Sequence, residues 1–208
     1  MFRLLVCLMF PWFPAFAAER SPVVAVREAP LRAESRGGGR WFVDFGKASF
    51  GTVEIVLPAV KEGTRLVLHL GEALAGPATV NRKPGGTVRY QRHEVLLSPG
   101  VAVRPPLTWA PPGWMKSGFL SLPEGASQMM PFRYVEIEGA PASFSAEGIR
   151  RISWTVPFDD GASDFRSSSP ELDAVWELCK HSIKVTTAFG LYIDGDRERK
   201  PYEADVLI

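Results

Sequence analysis

The residues best equipped for chemistry stand close together near the end of the 208-residue chain. Asp194, Asp196, Glu198, Glu203 and Asp205 alternate with Arg197, Arg199 and Lys200, and Tyr192 and Tyr202 flank them. Carboxylates at this density can divide proton donation and proton acceptance between them. Together with guanidinium groups and aromatic rings they also suit sugar recognition, because hydroxyls take charge-assisted hydrogen bonds and pyranose faces lie on rings. On spacing alone, a solvated loop of internal ion pairs is the better fit. Gly195 supplies a turn, and Pro201 suggests a second helix start.

Something must hold that segment in place, and the element before it is a helix. Ser167-Ser168-Ser169-Pro170-Glu171 is a strong start. Ser168 with Glu171 fits a capping box; with Ser169 as the cap instead, Pro170 takes the first helical position, where its missing N–H costs nothing. Leu172, Val175, Trp176, Cys179 and Ile183 then share one face, while Asp173, Glu177, Lys180 and Lys184 face away. The apolar face needs a partner: the helix either packs on the preceding domain or opens a helical one.

Further back the period is two. Trp41 to Phe45, Val53 to Leu57 and Leu66 to Leu70 read as short strands, separated by turn material such as Gly46-Lys47 and Glu62-Gly63. More strand-like runs follow at Thr87 to Leu97, Phe132 to Glu138 and Ile149 to Val156, divided by loops rich in proline and glycine, including Pro105-Pro106 and Pro111-Pro112-Gly113. The pattern predicts a mainly β chain, with an antiparallel, jelly-roll-like β-sandwich over 21–158, a linker over 159–169 and a helical region from 170 to 208. Alternation puts Val53, Ile55 and Leu57 on one face, and likewise Leu66, Leu68 and Leu70.

Composition narrows the function. A hydrophobic share of 46% is that of a folded chain, and a net charge of +1 gives no reason to expect a nucleic-acid partner. His69, His93 and His181 each lack a second ligand at metal spacing, so no metal and no cofactor are expected. Met1 to Ala18 holds one early cation, Arg3, and an apolar run ending in small residues, which reads as a secretory signal peptide. A retained membrane anchor is the alternative; with the signal removed, stable membrane insertion is not expected and the protein is secreted or periplasmic. Cys7 leaves with the signal, so Cys179 remains as a single thiol.

The motif Asp-Gly-x-x-Glu-Arg-x-x-Tyr-x-Ala-Asp over 194–205, after the Pro-Glu-Leu-x-x-x-Trp-Glu-Leu helix over 170–178, resembles the opening of the (α/α)6 catalytic barrel of glycoside hydrolase family 78, the α-L-rhamnosidases. Upstream, Val43-Asp44-Phe45-Gly46-Lys47, His69-Leu70-Gly71-Glu72, the run from Asn81 to Tyr90 and Pro131-Phe132-Arg133-Tyr134 resemble that family's accessory β-domain. The resemblance implies inverting hydrolysis of a terminal α-L-rhamnoside in a glycan or glycoside. Glu198 matches the general acid, its pKa raised by burial or by neighbouring carboxylates, with Arg197 and Arg199 opposing that push. Asp194 and Asp205 match sugar-binding aspartates, Arg199 is placed to pair with carboxylates or the sugar, and Tyr202 stands at a substrate-binding position where many members have Trp. The family's general base and most barrel helices lie beyond residue 208, so the resemblance implies a truncated barrel, inactive alone and poorly soluble. Two alternatives accompany it: a non-catalytic carbohydrate-binding or structural β-sandwich, with Trp109, Trp114 and Phe119 as loop aromatics that stack on sugar or plug the core, and a six-hairpin glycosidase for another sugar.

Overall fold

The computed structural model describes residues 23–109, 113–115, 128–188 and 191–202. The expected signal segment, Phe119, Glu203 and Asp205 lie outside them. Eleven strands and one long helix are placed: β1 (Val24–Glu28), β2 (Arg32–Gly37), β3 (Arg40–Ile55), β4 (Thr64–Gly71), β5 (Leu74–Gly76), β6 (Thr79–Val80), β7 (Tyr90–Leu97), β8 (Met130–Glu138), β9 (Ile149–Thr155), α1 (Pro170–Thr186), β10 (Thr187–Ala188) and β11 (Leu191–Tyr192). A seven-stranded antiparallel sheet in the order β1-β9-β3-β8-β4-β7, with β2 on the flank of β3, forms the main body. The expected mainly β, antiparallel architecture is therefore present.

The 16-residue β3 organises the sheet. Its first half pairs with β2 and β8, and Gly51–Ile55 pair with β9, with a register break between Asp44 and Ser49. The sequence reading made two strands of this segment, with a turn at Gly46-Lys47. The chain instead runs through as one strand carrying a bulge, which bends it and curls the sheet. Gly46 sits there at φ +84°, a left-handed conformation that favours glycine. Arg151 ties the bulge down: its guanidinium donates to the Lys47 carbonyl at 2.7 Å and the Phe132 carbonyl at 3.0 Å, and pairs with Glu28 at 2.6 Å.

Alternation works as expected on β4, where Leu66, Leu68 and Leu70 are fully buried. They meet Val43, Ile55, Phe132, Val135 and Ile137 in one core. Along the second half of β3, both faces are covered. Val53 and Ile55 enter the core, while Glu54, also buried, is held by Arg27 at 2.9 Å and Arg104 at 2.7 Å. A buried carboxylate is tolerable only when paired in this way.

The helix starts at Pro170 with Ser169 as its N-cap; the alternative box from Ser168 to Glu171 is not formed, and Ser169 Oγ donates to Glu171 Oε2 at 2.8 Å. Its contacts show which side of it meets the rest of the chain. His181 donates through Nε2 to the Ala48 carbonyl at 2.7 Å, and Lys184 pairs with Asp160 at 2.6 Å while lying over the Phe158 ring. The side of α1 that carries His181 and Lys184, together with Ala174, Glu177 and Val185, thus meets the β-domain and linker, and Trp176 of the predicted apolar stripe packs on Phe165 of the linker. Leu172, Val175, Leu178 and Ile183 stay 49–60% exposed.

Candidate functional site

After α1 the short β10–β11 hairpin reverses the chain, pairing Thr187 with Tyr192 and Ala188 with Leu191. Ile193 then anchors the exit. Its amide donates to the Thr186 carbonyl at 3.0 Å, and its side chain is buried against Phe50 and Met129 of the β-domain. The acidic segment closes on itself from there: the Asp194 amide donates to the Lys200 carbonyl, the Lys200 amide to Asp194 Oδ1 and the Arg199 amide to the Gly195 carbonyl, each at 3.1 Å. Such a tight closure forces Arg199 to φ +50°, the one non-glycine residue with positive φ among those described.

Asp196 is the hub. Arg199 donates to its Oδ1 through Nε at 2.8 Å and Nη2 at 2.6 Å, and Arg89 reaches its Oδ2 through Nε at 2.5 Å. Its carbonyl accepts from Arg89 Nη2 at 3.1 Å and from the Trp109 indole N–H at 2.8 Å. Arg199 is itself buried, donates to the Met129 carbonyl at 2.5 Å and stacks 5.0 Å from the Trp109 ring centre. Burial lowers the pKa of this guanidinium, and the Asp196 charge opposes the shift.

Glu198 projects from the same turn and is only 4% exposed. The Tyr202 hydroxyl donates to its Oε2, and Arg197 lies 2.6 Å from its Oε1. That hydrogen bond is the main reason the Tyr202 phenol has a raised pKa. Beside the loop is a cavity of about 270 Å³, lined by Ser49 and Phe50 of β3, Glu72 and Thr87, Ser182 and Thr186 of α1, and Asp194 to Asp196. Glu72 has a raised pKa, first from burial and further from the charge of Asp196, against an opposing hydrogen bond from the Arg89 amide at 2.6 Å.

Of the residues singled out in sequence, Glu198 and Tyr202 meet directly. Asp194 lines the cavity from an exposed position, and Arg199 spends its donors inside the fold on Asp196 and Met129. Sequence reasoning counted Asp196 only as a nearby charge and missed Arg89 as its partner; 107 residues separate the two. Of the loop aromatics, Trp109 braces the acidic segment, while Trp114 is 64% exposed. His69 lies 2.8 Å from the Tyr90 hydroxyl, His93 2.8 Å from Gln91, and burial lowers the pKa of all three histidines. No group of three or more possible metal ligands is present among the described residues, and no described helix is long and apolar enough to cross a membrane.

A curled antiparallel sandwich with a helix and an acidic loop secured to its edge is the architecture of a concanavalin-like β-domain. The chain belongs to the family of the bacterial α-L-rhamnosidase concanavalin-like domain, whose model matches residues 34–154. It is thereby related to glycoside hydrolases through an accessory domain; Glu198 and its neighbours lie after the matched span. No curated protein matches the sequence. Among solved structures, an α-L-rhamnosidase of Streptomyces avermitilis complexed with L-rhamnose aligns at 15% identity and TM-score 0.59, over 87% of this chain and 16% of its own. That of Dictyoglumus thermophilum aligns at 17% and 0.61, over 89% and 19%. The Aspergillus terreus enzyme aligns at 17% and 0.58, over 86% and 18%. At these identities the likeness shows the fold, and the chain spans less than a fifth of the length of these three proteins.

Proposed function

We propose that this chain supplies the accessory β-domain and the acid-bearing loop of a secreted α-L-rhamnosidase. The observation that carries the reading is the burial of Glu198, with Tyr202 on one carboxylate oxygen and Arg197 beside the other, on a loop tied to a rhamnosidase-type β-domain. In this reading Glu198, protonated, gives its proton to the glycosidic oxygen, and a carboxylate on the opposite face of the sugar activates water. The Tyr202 hydroxyl and Arg197 then stabilise the carboxylate that remains. Asp194, Tyr202 and Asp205 form the sugar-binding set, and Arg199, its donors spent on Asp196 and the Met129 carbonyl, shapes the loop that carries them. Residues 1–18 direct secretion, 21–158 form the accessory domain, 159–169 the linker, and 170 onward the opening of an (α/α)6 barrel. The outward apolar face of α1 supports that last assignment, since Leu172, Val175 and Ile183 are exposed on the side of the helix opposite His181.

A single series of experiments tests the proposal. Reading the frame past codon 208 should give helical hairpins and a second acidic residue, and the product of that frame should hydrolyse an α-L-rhamnoside with β-L-rhamnose as the first anomer formed. Glu198→Gln should reduce kcat by at least about 100-fold, in the range that general acid catalysis contributes. A stop at codon 209 with no continuation, or a Glu198→Gln enzyme of undiminished activity, would overturn the assignment in favour of a carbohydrate-binding or structural module.

A further inference from the structure

The contacts that fix the acidic loop come from the β-domain, and they act on the residues on either side of Glu198. Arg89, just ahead of β7, holds Asp196 twice, by side chain at 2.5 Å and by main chain at 3.1 Å. Asp196 in turn holds Arg199, the residue after Glu198, with two donors on one carboxylate oxygen. Arg89 is itself fixed: its amide donates to Glu72 Oε2 at 2.6 Å, and its carbonyl accepts from the Glu72 amide at 3.2 Å. The Asp196 and Arg199 side chains are 7% and 5% exposed, so this bridge is little screened by solvent.

We propose that Arg89 is a positioning residue for Glu198, acting through Asp196 and Arg199 to fix the carboxylate against Tyr202. This deepens the rhamnosidase reading and rests on it for the role of Glu198. The accessory domain, in this view, takes part in the reaction by setting the geometry of the acid from outside the barrel. A proton donor must sit within a few tenths of an ångström of its productive place, and a loop closed mainly by its own backbone bonds does not provide that alone. Positive φ at Arg199 points the same way, because a strained residue persists only where its surroundings over-determine it.

The test uses the 208-residue chain and needs no turnover. With ring-labelled tyrosine the protein gives four tyrosine signals, one of them from Tyr202. In the parent chain the Tyr202 signal should show a step as Glu198 titrates, and Glu198→Gln identifies that step by removing it. Arg89→Lys keeps the charge and loses the forked contact; Asp196→Asn keeps the shape and loses the charge. Both should leave the chain folded while shrinking the step by at least half, and Arg89→Lys should retain more of it than Arg89→Met. A merely structural Arg89 would lower the denaturation midpoint and leave the Tyr202 step unchanged in folded Arg89→Lys protein, and that result overturns the proposal. Absence of rhamnosidase activity in the unsubstituted product of the full frame, with the step behaving as described, would instead refute the functional assignment and leave the positioning contact standing.

Discussion

Replacing Arg199 with Met gives a direct measure of how far the loop depends on its buried guanidinium. The substitution roughly preserves stem volume and removes the bonds to Asp196 Oδ1 and the Met129 carbonyl and the stacking on Trp109. Hydrogen bonds to charged groups contribute about 1.5–3 kcal/mol, and a desolvated cation–π contact about 0.5–2 kcal/mol. Two terms reduce that sum. Asp196 keeps Arg89, so the penalty of about 3–5 kcal/mol for stranding a buried charge is not reached, and Met recovers part of the apolar contact with Phe50 and Trp109. Counting the fork on Asp196 Oδ1 as one bond and the Met129 carbonyl as a second, each at the low end of its range, and letting the methionine replace the ring contact in full, the net loss for the latched loop is about 2–3 kcal/mol.

Because a loop can open while the sheet stays intact, the loss should appear locally. Native-state amide exchange at Arg199 and Asp194, whose N–H groups close the loop, should quicken about 30- to 150-fold, the equivalent of that loss at about 1.4 kcal/mol per tenfold. Amides of β4 should change by less than about twofold if the sheet is energetically independent of the loop. Arg199→Lys should fall between the two, since a lysine keeps the charge and cannot reproduce the fork. Exchange at the loop amides within about threefold of the parent would refute the reasoning, for under 0.7 kcal/mol of local stability would then rest on those contacts.

Three other perturbations have outcomes set by the same structure. Burial pushes the Glu28 carboxyl up, but hydrogen bonds from Arg151 and Ser153 and the Arg151 charge outweigh it; at Asp44 burial is likewise outweighed by Arg133 and the Gly46 amide. Both folded pKa values therefore lie below their ordinary 4.5 and 3.8, so these pairs stabilise the fold fully above those values and lose that contribution as pH falls through the folded ones. The urea midpoint should begin to fall below about pH 6.5, where the unfolded chain takes up protons on the three histidines before the folded one does, and fall further below about pH 5; Glu28→Gln should flatten part of that lower decline. Phe132→Ala empties a fully buried site beside Phe45 and should cost about 3–5 kcal/mol in equilibrium denaturation. Val175→Lys with Ile183→Gln, both on the outward face of α1, should reduce self-association in sedimentation while shifting sheet stability by less than about 0.5 kcal/mol.

What could be read in the sequence follows the range of the interactions concerned. The alternation of β4 and of Val53, Ile55 and Leu57 is a local signal, and it correctly located the core. β1 escaped notice because most of its residues are exposed, leaving no buried alternation to detect, and β2 shares that weakness. The bulge in β3 reads locally as a turn, since glycine serves both, and only the continued pairing with β8 and β9 distinguishes them. At the acidic loop, Glu198 and Tyr202 are four residues apart and visible together, whereas the Arg89–Asp196 contact joins segments with no periodic or spacing relation.

The orientation of α1 shows why amphipathicity alone does not say where a helix packs. The stripe of Leu172, Val175, Trp176, Cys179 and Ile183 predicts a face that needs a partner, either the preceding β-domain or a helical domain, and the pattern does not choose between them. The β-domain here offers polar partners at that edge, the Ala48 carbonyl in the β3 bulge and Asp160 in the linker, and these meet His181 and Lys184. Turning the helix over would take those contacts away and set apolar side chains against unsatisfied carbonyls, at about 1–3 kcal/mol for each polar group left buried without a partner. The bulge that curls the sheet thus also selects which side of α1 it receives. The apolar side is left facing away from the β-domain, where the opening helix of a helical domain would need it.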